Sequence, residues 1–192
     1  MEKKTFGSKP ILFPMPTVLV GTAFRGKINY MTVAYVGIVG NDPALIAISP
    51  GKQSYTHDVI PQIGAFSVNI PSASQVEATD WCGIASGKGV DKSGWCQTFF
   101  GQLPGAPLIQ QCPINLECKL VHTFAASQVD IVFIGEIIQV HVSLDCLTDG
   151  RPDIAKVRPI LYGTADDSYW ELGPFLAKAF QVGKYFDQKD KG

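Results

Sequence analysis

Apolar residues in this chain come in short runs, each closed by a glycine or proline turn, and that punctuation leaves little room for long helices. Thr17-Val18-Leu19-Val20-Gly21-Thr22-Ala23-Phe24 reads as a buried strand. Arg25-Gly26-Lys27 is a turn and Asn29 to Val36 returns as a second strand, a hairpin signal. Pro43 opens a third strand, Ala44 to Ser49, and Gly64 to Pro71 is a fourth in which apolar residues alternate with Ser67 and Asn69. Further on, Leu116, Cys118 and Leu120 alternate with Glu117 and Lys119, and Val140, Val142 and Leu144 alternate with Gln139, His141 and Ser143. Both stretches have a period of two with one wet face. Helical signals are brief. Ser54 to Ile60 is capped by Ser54 and stopped by Pro61; Ser74 to Ile84 is capped by Ser72 or Ser74; Phe175 to Phe180 follows Gly173-Pro174. The expected fold is mainly β with short helices, a β-barrel with helical decoration.

At 192 residues the chain suits one domain with one sizeable core. Residues 1–192 read as a single unit, with 72–111 a helical and glycine-rich excursion and 187–192 a loose tail. The net charge of -1 and the lack of any Lys/Arg block argue against a nucleic-acid partner. No run approaches the roughly 18–20 apolar residues of a membrane span. The opening Met1-Glu2-Lys3-Lys4-Thr5-Phe6-Gly7-Ser8 lacks the apolar stretch of a signal peptide, so the expected location is cytoplasmic. The five cysteines are odd in number and form no CxxC pair, which favours reduced thiols.

Several motifs fail on spacing. Gly83-Ile84-Ala85-Ser86-Gly87-Lys88-Gly89 resembles a phosphate-binding P-loop, but it has one residue too few between its glycines and Gly89 where Ser or Thr is needed. No GxGxxG follows a strand and no GxSxG elbow exists. His57, His122 and His141 lie far apart, without a second ligand at metal spacing. Cys112 and Cys118 read as small buried hydrophobes, and so does Cys82 unless it lines a site.

Ile48-Ser49-Pro50-Gly51-Lys52-Gln53-Ser54-Tyr55-Thr56-His57 carries more. An apolar strand gives way to a Pro-Gly turn, a lysine and hydroxyls, and a helix beginning at Ser54 turns free N–H groups outward. That is an anion site suited to phosphate, and Gly51 admits close backbone approach. A helix cap followed by a surface turn uses the same residues. Asn29 and Thr32 add polar groups at the start of a strand otherwise built for a core, and buried polar groups need partners.

In order and spacing, several segments resemble the flavin reductase-like, FMN-binding split-barrel family, especially its flavoredoxin branch. They are Phe13 to Thr22, Asn29 to Ala34, Asp42 to Ser49, Ser54 to His57 and Cys82 to Lys92, and Ala106–Ile109, Leu116–Lys119 and Phe133–Glu136 extend the likeness. The resemblance implies a six-stranded Greek-key split barrel acting as a homodimer, with FMN near the dimer interface. It further implies an FMN-dependent oxidoreductase that passes electrons from NAD(P)H or a protein donor. A non-enzymatic flavin carrier or sensor is the alternative. Asn29, Met31, Thr32, Val33, Ala34 and Tyr35 match the segment along the flavin ring and ribityl chain. Ser49, Pro50, Gly51, Lys52, Ser54 and Thr56 match the phosphate and ribityl segment, and Lys92 matches the lysine of the family's Val-Asp-Lys-Phe motif. No catalytic side chain and no metal ligand is implied. The chain departs from the pattern at Tyr35, where relatives often carry Trp, at Ser93, where they carry Phe, and at Val129-Asp130-Ile131, where many have Gly-Asp-His. These changes bear on FMN affinity and electron partner more than on the fold.

Overall fold

Arg25 and Gly26 both take positive φ, 50° and 79°, so their two-residue turn twists in the same sense as the strands it joins. It links β1 (Val18–Phe24) to β2 (Lys27–Val33), with Phe24 opposite Lys27 and Val18 opposite Val33. The computed structural model describes residues 1–184, so the tail expected from 187 onward lies outside the described residues. A second hairpin pairs β3 (Val36–Asn41) with β4 (Ala44–Ile48). Then come α1 (Tyr55–Ile63), β5 (Ala65–Ile70), α2 (Val76–Ile84), the long pair β6 (Ile114–Ala125) and β7 (Ile131–Val142), and the single turn α3 (Ile154–Val157).

The main sheet has seven strands in the order β2-β1-β5-β6-β7-β4-β3, every pairing antiparallel. Its two edges share one core. Val18 and Val20 of β1, Val33 of β2, Ile46 and Ile48 of β4, Ile60 of α1, Phe66 and Val68 of β5, Leu116 and Cys118 of β6 and Phe133 of β7 form a single buried cluster, with Val36 of β3 packed against it. Strands from opposite ends of an open sheet reach one cluster only when the sheet curls. The fold is therefore a split barrel, mainly β with short helices. Bulges between Ile134 and Gly135 and between Ile137 and Gln139 help bend the long pair. A Cβ on Gly135 would stand 2.6 Å from the Phe66 ring, so this glycine lets the strand close onto the core.

Several local expectations change. The run from Asn29 to Val36 is not one strand: it breaks at Ala34-Tyr35, where the Val36 N–H bonds back to the Ala34 carbonyl. That break creates the extra strand β3. Pro61 lies inside α1 instead of stopping it. A proline removes one intrahelical bond, and the buried Val59 and Ile60 hold the helix across it. The stop is Gly64, at φ 64°, whose N–H bonds to the Ile60 carbonyl. Ala73–Gln75 is a short 3-10 turn before α2, not helix proper.

On the face of β6 expected to be wet, Glu117 is dry while Lys119 is exposed. Glu117 is 0% exposed, because the excursion after α2 folds back over it. Its oxygens accept from the Leu103 N–H at 2.7 Å and from His141 Nε2 at 2.8 Å. Leu144 leaves the strand pattern and sits exposed in a 3-10 turn, Leu144–Cys146. Phe175 to Phe180 is not a helix; Phe175, Leu176 and Phe180 are 80%, 95% and 96% exposed, so among the described residues no tertiary surface rewards an amphipathic turn there.

Candidate functional site

β2, the start of α1 and the segment leaving α2 enclose a cleft of about 280 Å³. β2 contributes Asn29 and Met31. The turn after β4 and the first turn of α1 contribute Gly51, Gln53, Ser54, Tyr55 and Thr56. The end of α2 and the loop beyond it contribute Cys82 to Gly87, with Lys92 beneath.

The helix terminus is a cluster of donors. Ser54 is the N-cap of α1, and its Oγ accepts from the His57 N–H at 3.1 Å. Its own hydroxyl proton is thereby free to donate, as are the first backbone N–H groups of α1. Thr56 is 0% exposed, and its Oγ1 accepts from Asn29 Nδ2 at 3.0 Å. With one lone pair taken by Asn29, the Thr56 hydroxyl is left to donate. The other Asn29 atom, Oδ1, is a buried acceptor with no partner among the described residues. A Cβ on Gly87 would run into the Asn29 carboxamide, so the glycine lets the loop lie directly against it.

Lys92 is 2% exposed. Its Nζ donates to the carbonyls of Cys82 at 2.7 Å and Tyr30 at 3.0 Å. The first is a carbonyl in the last turn of α2, where a cation also meets the negative end of the helix dipole. Lys92 thus fastens α2 to β2 and leaves a positive charge under the cleft. Burial pulls its pKa below the usual lysine range. Burial pushes the Cys82 thiol up to about 11, so it stays protonated at neutral pH and offers no nucleophile. Among the described residues no cluster of His, Cys, Asp and Glu suits a metal ion.

The cleft therefore brings together Asn29, Met31, Gly51, Ser54, Thr56 and Lys92 from the positions singled out in the sequence. The others lie outside its wall. Thr32 Oγ1 donates to the Thr79 carbonyl and ties β2 to α2. Val33 is core, and Ala34-Tyr35 is the break between β2 and β3. Ser49 Oγ donates to the Ile131 carbonyl at 3.1 Å, and Pro50 is buried behind it. Lys52 Nζ donates to the Gln128 carbonyl at 3.0 Å on an exposed loop, where Gly51 bridges to Asp130. Gln53, Tyr55 and the backbone of Gly83 to Gly87 enter the wall without having been singled out individually. The glycine density of 83–89 was the available signal for the last of these.

The structure is thus a mainly β split barrel with a donor-lined cleft at a helix N-terminus, an arrangement able to receive an anionic group. Residues 11–165 match the flavin reductase like domain. The chain belongs to that family of flavin-related oxidoreductases. It superposes on a flavoredoxin from Methanosarcina acetivorans with a TM-score of 0.93 and 38% identity, covering 97% of this chain and 100% of the other. A flavoredoxin of Desulfovibrio vulgaris (Miyazaki F) gives 0.88 and 39%, over 95% and 100% of the two chains. An NADH-dependent FAD reductase of Streptomyces globisporus is 28% identical over 137 residues, 71% of this chain and 72% of its own.

Proposed function

We propose that this chain is an FMN-dependent oxidoreductase, holding the flavin in the cleft between β2, α1 and the 83–92 loop and working as a homodimer. The observation that carries the reading is the pairing of opposite needs in one cleft. The hydroxyls of Ser54 and Thr56 and the first N–H groups of α1 seek acceptors, while the orphaned Asn29 Oδ1 seeks a donor. A fully ionised phosphoryl group, with acceptors alone, meets only the first need. A phosphorylated polyol such as the ribityl phosphate of FMN meets both, and a buried acceptor left unpaired costs about 1–3 kcal/mol.

The remaining wall suits a flat ring. Met31, Ile84 and Ala85 supply apolar contact, and Lys92 places a fixed positive charge beneath it. Bound flavin supplies the hydride and electron chemistry, while the protein binds, orients and tunes it. The cleft needs no acid–base side chain for this, and its protonated Cys82 stays out of the reaction. Electrons would come from NADH, NADPH or a protein donor. The flavoredoxin and FAD reductase relatives support a flavin and a reduced donor. The exposed Phe13, Trp170, Phe175, Leu176 and Phe180 support association with a second copy.

Gel filtration with added FMN, followed by anaerobic addition of NADH and then NADPH, tests the reading. Retained flavin bands that bleach with one donor are the expected result. A protein that keeps no flavin and gains no thermal stability from FMN refutes it, because any ligand bound by the folded state alone must stabilise that state.

A further inference from the structure

The loop that leaves α2 closes one side of the cleft, and side chains tie it there. Within residues 86–90 the Gly89 and Val90 N–H groups bond back to the Ser86 carbonyl at 3.1 and 3.0 Å, and the Lys88 N–H bonds to the Ser86 hydroxyl at 3.3 Å. Among the described residues no backbone hydrogen bond joins this stretch to α1 or β2. Gly87 nevertheless lies against the Asn29 carboxamide, whose Oδ1 has no partner.

Two lysines supply the ties. Lys27, the first residue of β2, donates from Nζ to the Gly87 carbonyl. The same ammonium lies 4.8 Å from the centre of the Tyr55 ring, and Tyr55 is the first residue of α1. One side chain therefore joins the strand, the loop and the helix that wall the cleft. Among the described residues no carboxylate lies within ion-pair distance of Lys27, so the carbonyl and the ring face are its near partners. The second tie is Lys88, whose Nζ lies 2.8 Å from Asp58 Oδ2 in the first turn of α1. Lys88, with His57 in support, holds the Asp58 carboxyl below the usual carboxylate range, so the pair is in place at neutral pH. Both its side chains are about half exposed, which keeps it weak. The part-buried, charge-assisted bond from Lys27 is the stronger tie. Ser86 and Gly87 belong to the cleft wall. Moving them off α1 and Asn29 opens the cleft and breaks these two ties without breaking a backbone hydrogen bond to either element.

We propose that residues 86–90 are a strap across the flavin cleft and that Lys27 is the positioning residue that holds it shut, setting how fast FMN enters and leaves without touching it. The proposal rests on the flavin reading of the cleft and adds a residue outside the cleft's lining. Both ties join protein groups only, so their loss lowers the cost of opening in the empty and the loaded protein alike. Entry and exit then accelerate together, and Kd changes little. A lysine bound to the ligand itself behaves differently: its loss speeds exit without speeding entry, and Kd rises.

The test is stopped-flow flavin fluorescence on wild type, Lys27→Met, Lys27→Arg and Lys88→Gln, with FMN association and dissociation rates measured separately and thermal melts run alongside. Lys27→Met keeps the stem but loses the charge and the donor, and both rates should rise about tenfold with Kd within about threefold of wild type. Lys88→Gln should raise both about twofold. Lys27→Arg keeps a cation for the ring and a donor for the carbonyl, and should return both rates to near the wild-type values. A Lys27→Met protein that melts early but exchanges FMN at wild-type rates overturns the proposal, because Lys27 is then structural only. Faster exit with unchanged or slower entry overturns it too, by placing Lys27 on the ligand. A wild-type protein that binds no FMN refutes the flavin reading itself, and the strap's role in exchange with it.

Discussion

Thr56→Val separates scaffolding from binding at the centre of the cleft. Valine matches threonine in shape, so the buried site gains no cavity and loses only the hydroxyl. Two consequences follow from the geometry. Asn29 Nδ2 loses its acceptor at 3.0 Å and stays buried, with the amide's Oδ1 already unpartnered. One further unsatisfied buried group costs about 1–3 kcal/mol. In a chain of this length that lowers Tm by roughly 2–4 °C per kcal/mol. The ligand also loses a hydroxyl donor aimed by Asn29, worth about 1–1.5 kcal/mol or roughly tenfold in Kd. Thermal melts without flavin measure the first effect, and calorimetric FMN titration measures the second. Thr56→Ser keeps the hydroxyl and should retain most of the affinity. A Thr56→Val protein that melts early yet binds FMN like wild type would show that the hydroxyl serves only Asn29.

Lys92→Met should lower stability by about 1–3 kcal/mol, since two carbonyls lose a charged donor while the cost of burying that charge is relieved; denaturant melts measure it, and an unchanged midpoint would mean that those carbonyls find other partners. Lys52→Ala should weaken FMN binding less than Thr56→Val does, and less again at high salt, because Lys52 sits on an exposed loop against the Gln128 carbonyl; a loss as large as that of Thr56→Val would place its ammonium on the ligand. Alkali should unfold the protein progressively. Burial raises the thiols of Cys82 and Cys112 from 9.0 to about 11 and about 12, and raises Cys118 further. An acid whose folded pKa is raised gives stability that is intact below its unfolded pKa and lost as pH climbs toward the folded one. Melting temperature should therefore decline from about pH 9 upward, and Cys118→Val should flatten that decline; a flat profile to pH 11 in wild type would contradict the burial of these thiols.

Much of the cleft was legible because its parts are local. Ser54 caps the helix that follows it, and a capping hydroxyl with free N–H groups is a property of adjacent residues. The glycines of 83–89 marked a loop able to lie close to something, and Gly87 lies against Asn29. The two lysines behaved differently. Lys52 is two residues before the helix cap, yet its side chain leaves toward Gln128, where the turn bridges Gly51 to Asp130. The Lys92 ammonium lies under the cleft because tertiary packing brings the end of α2 against β2.

The errors share one cause. Period two at Glu117 gives a side chain's direction but not what lies on that face, and a segment roughly fifteen residues upstream covers it. Pro61 is a stop by propensity, but the burial of Val59 and Ile60 outweighs one missing hydrogen bond. Phe175 to Phe180 had a helical start signal but stay exposed, with nothing to pack against among the described residues.

By itself the sequence determined the short strands, the hairpin turns, the capped helix after β4 and the polar groups at its start, because each follows from backbone sterics, hydrogen bonding or apolar spacing within a few residues. Tertiary structure decided that the strand edges share one core, that Asn29 meets Thr56 and that Lys92 is buried. Those facts join residues far apart in the chain, and only the curl of the sheet and the return of the loop after α2 bring them within hydrogen-bonding reach.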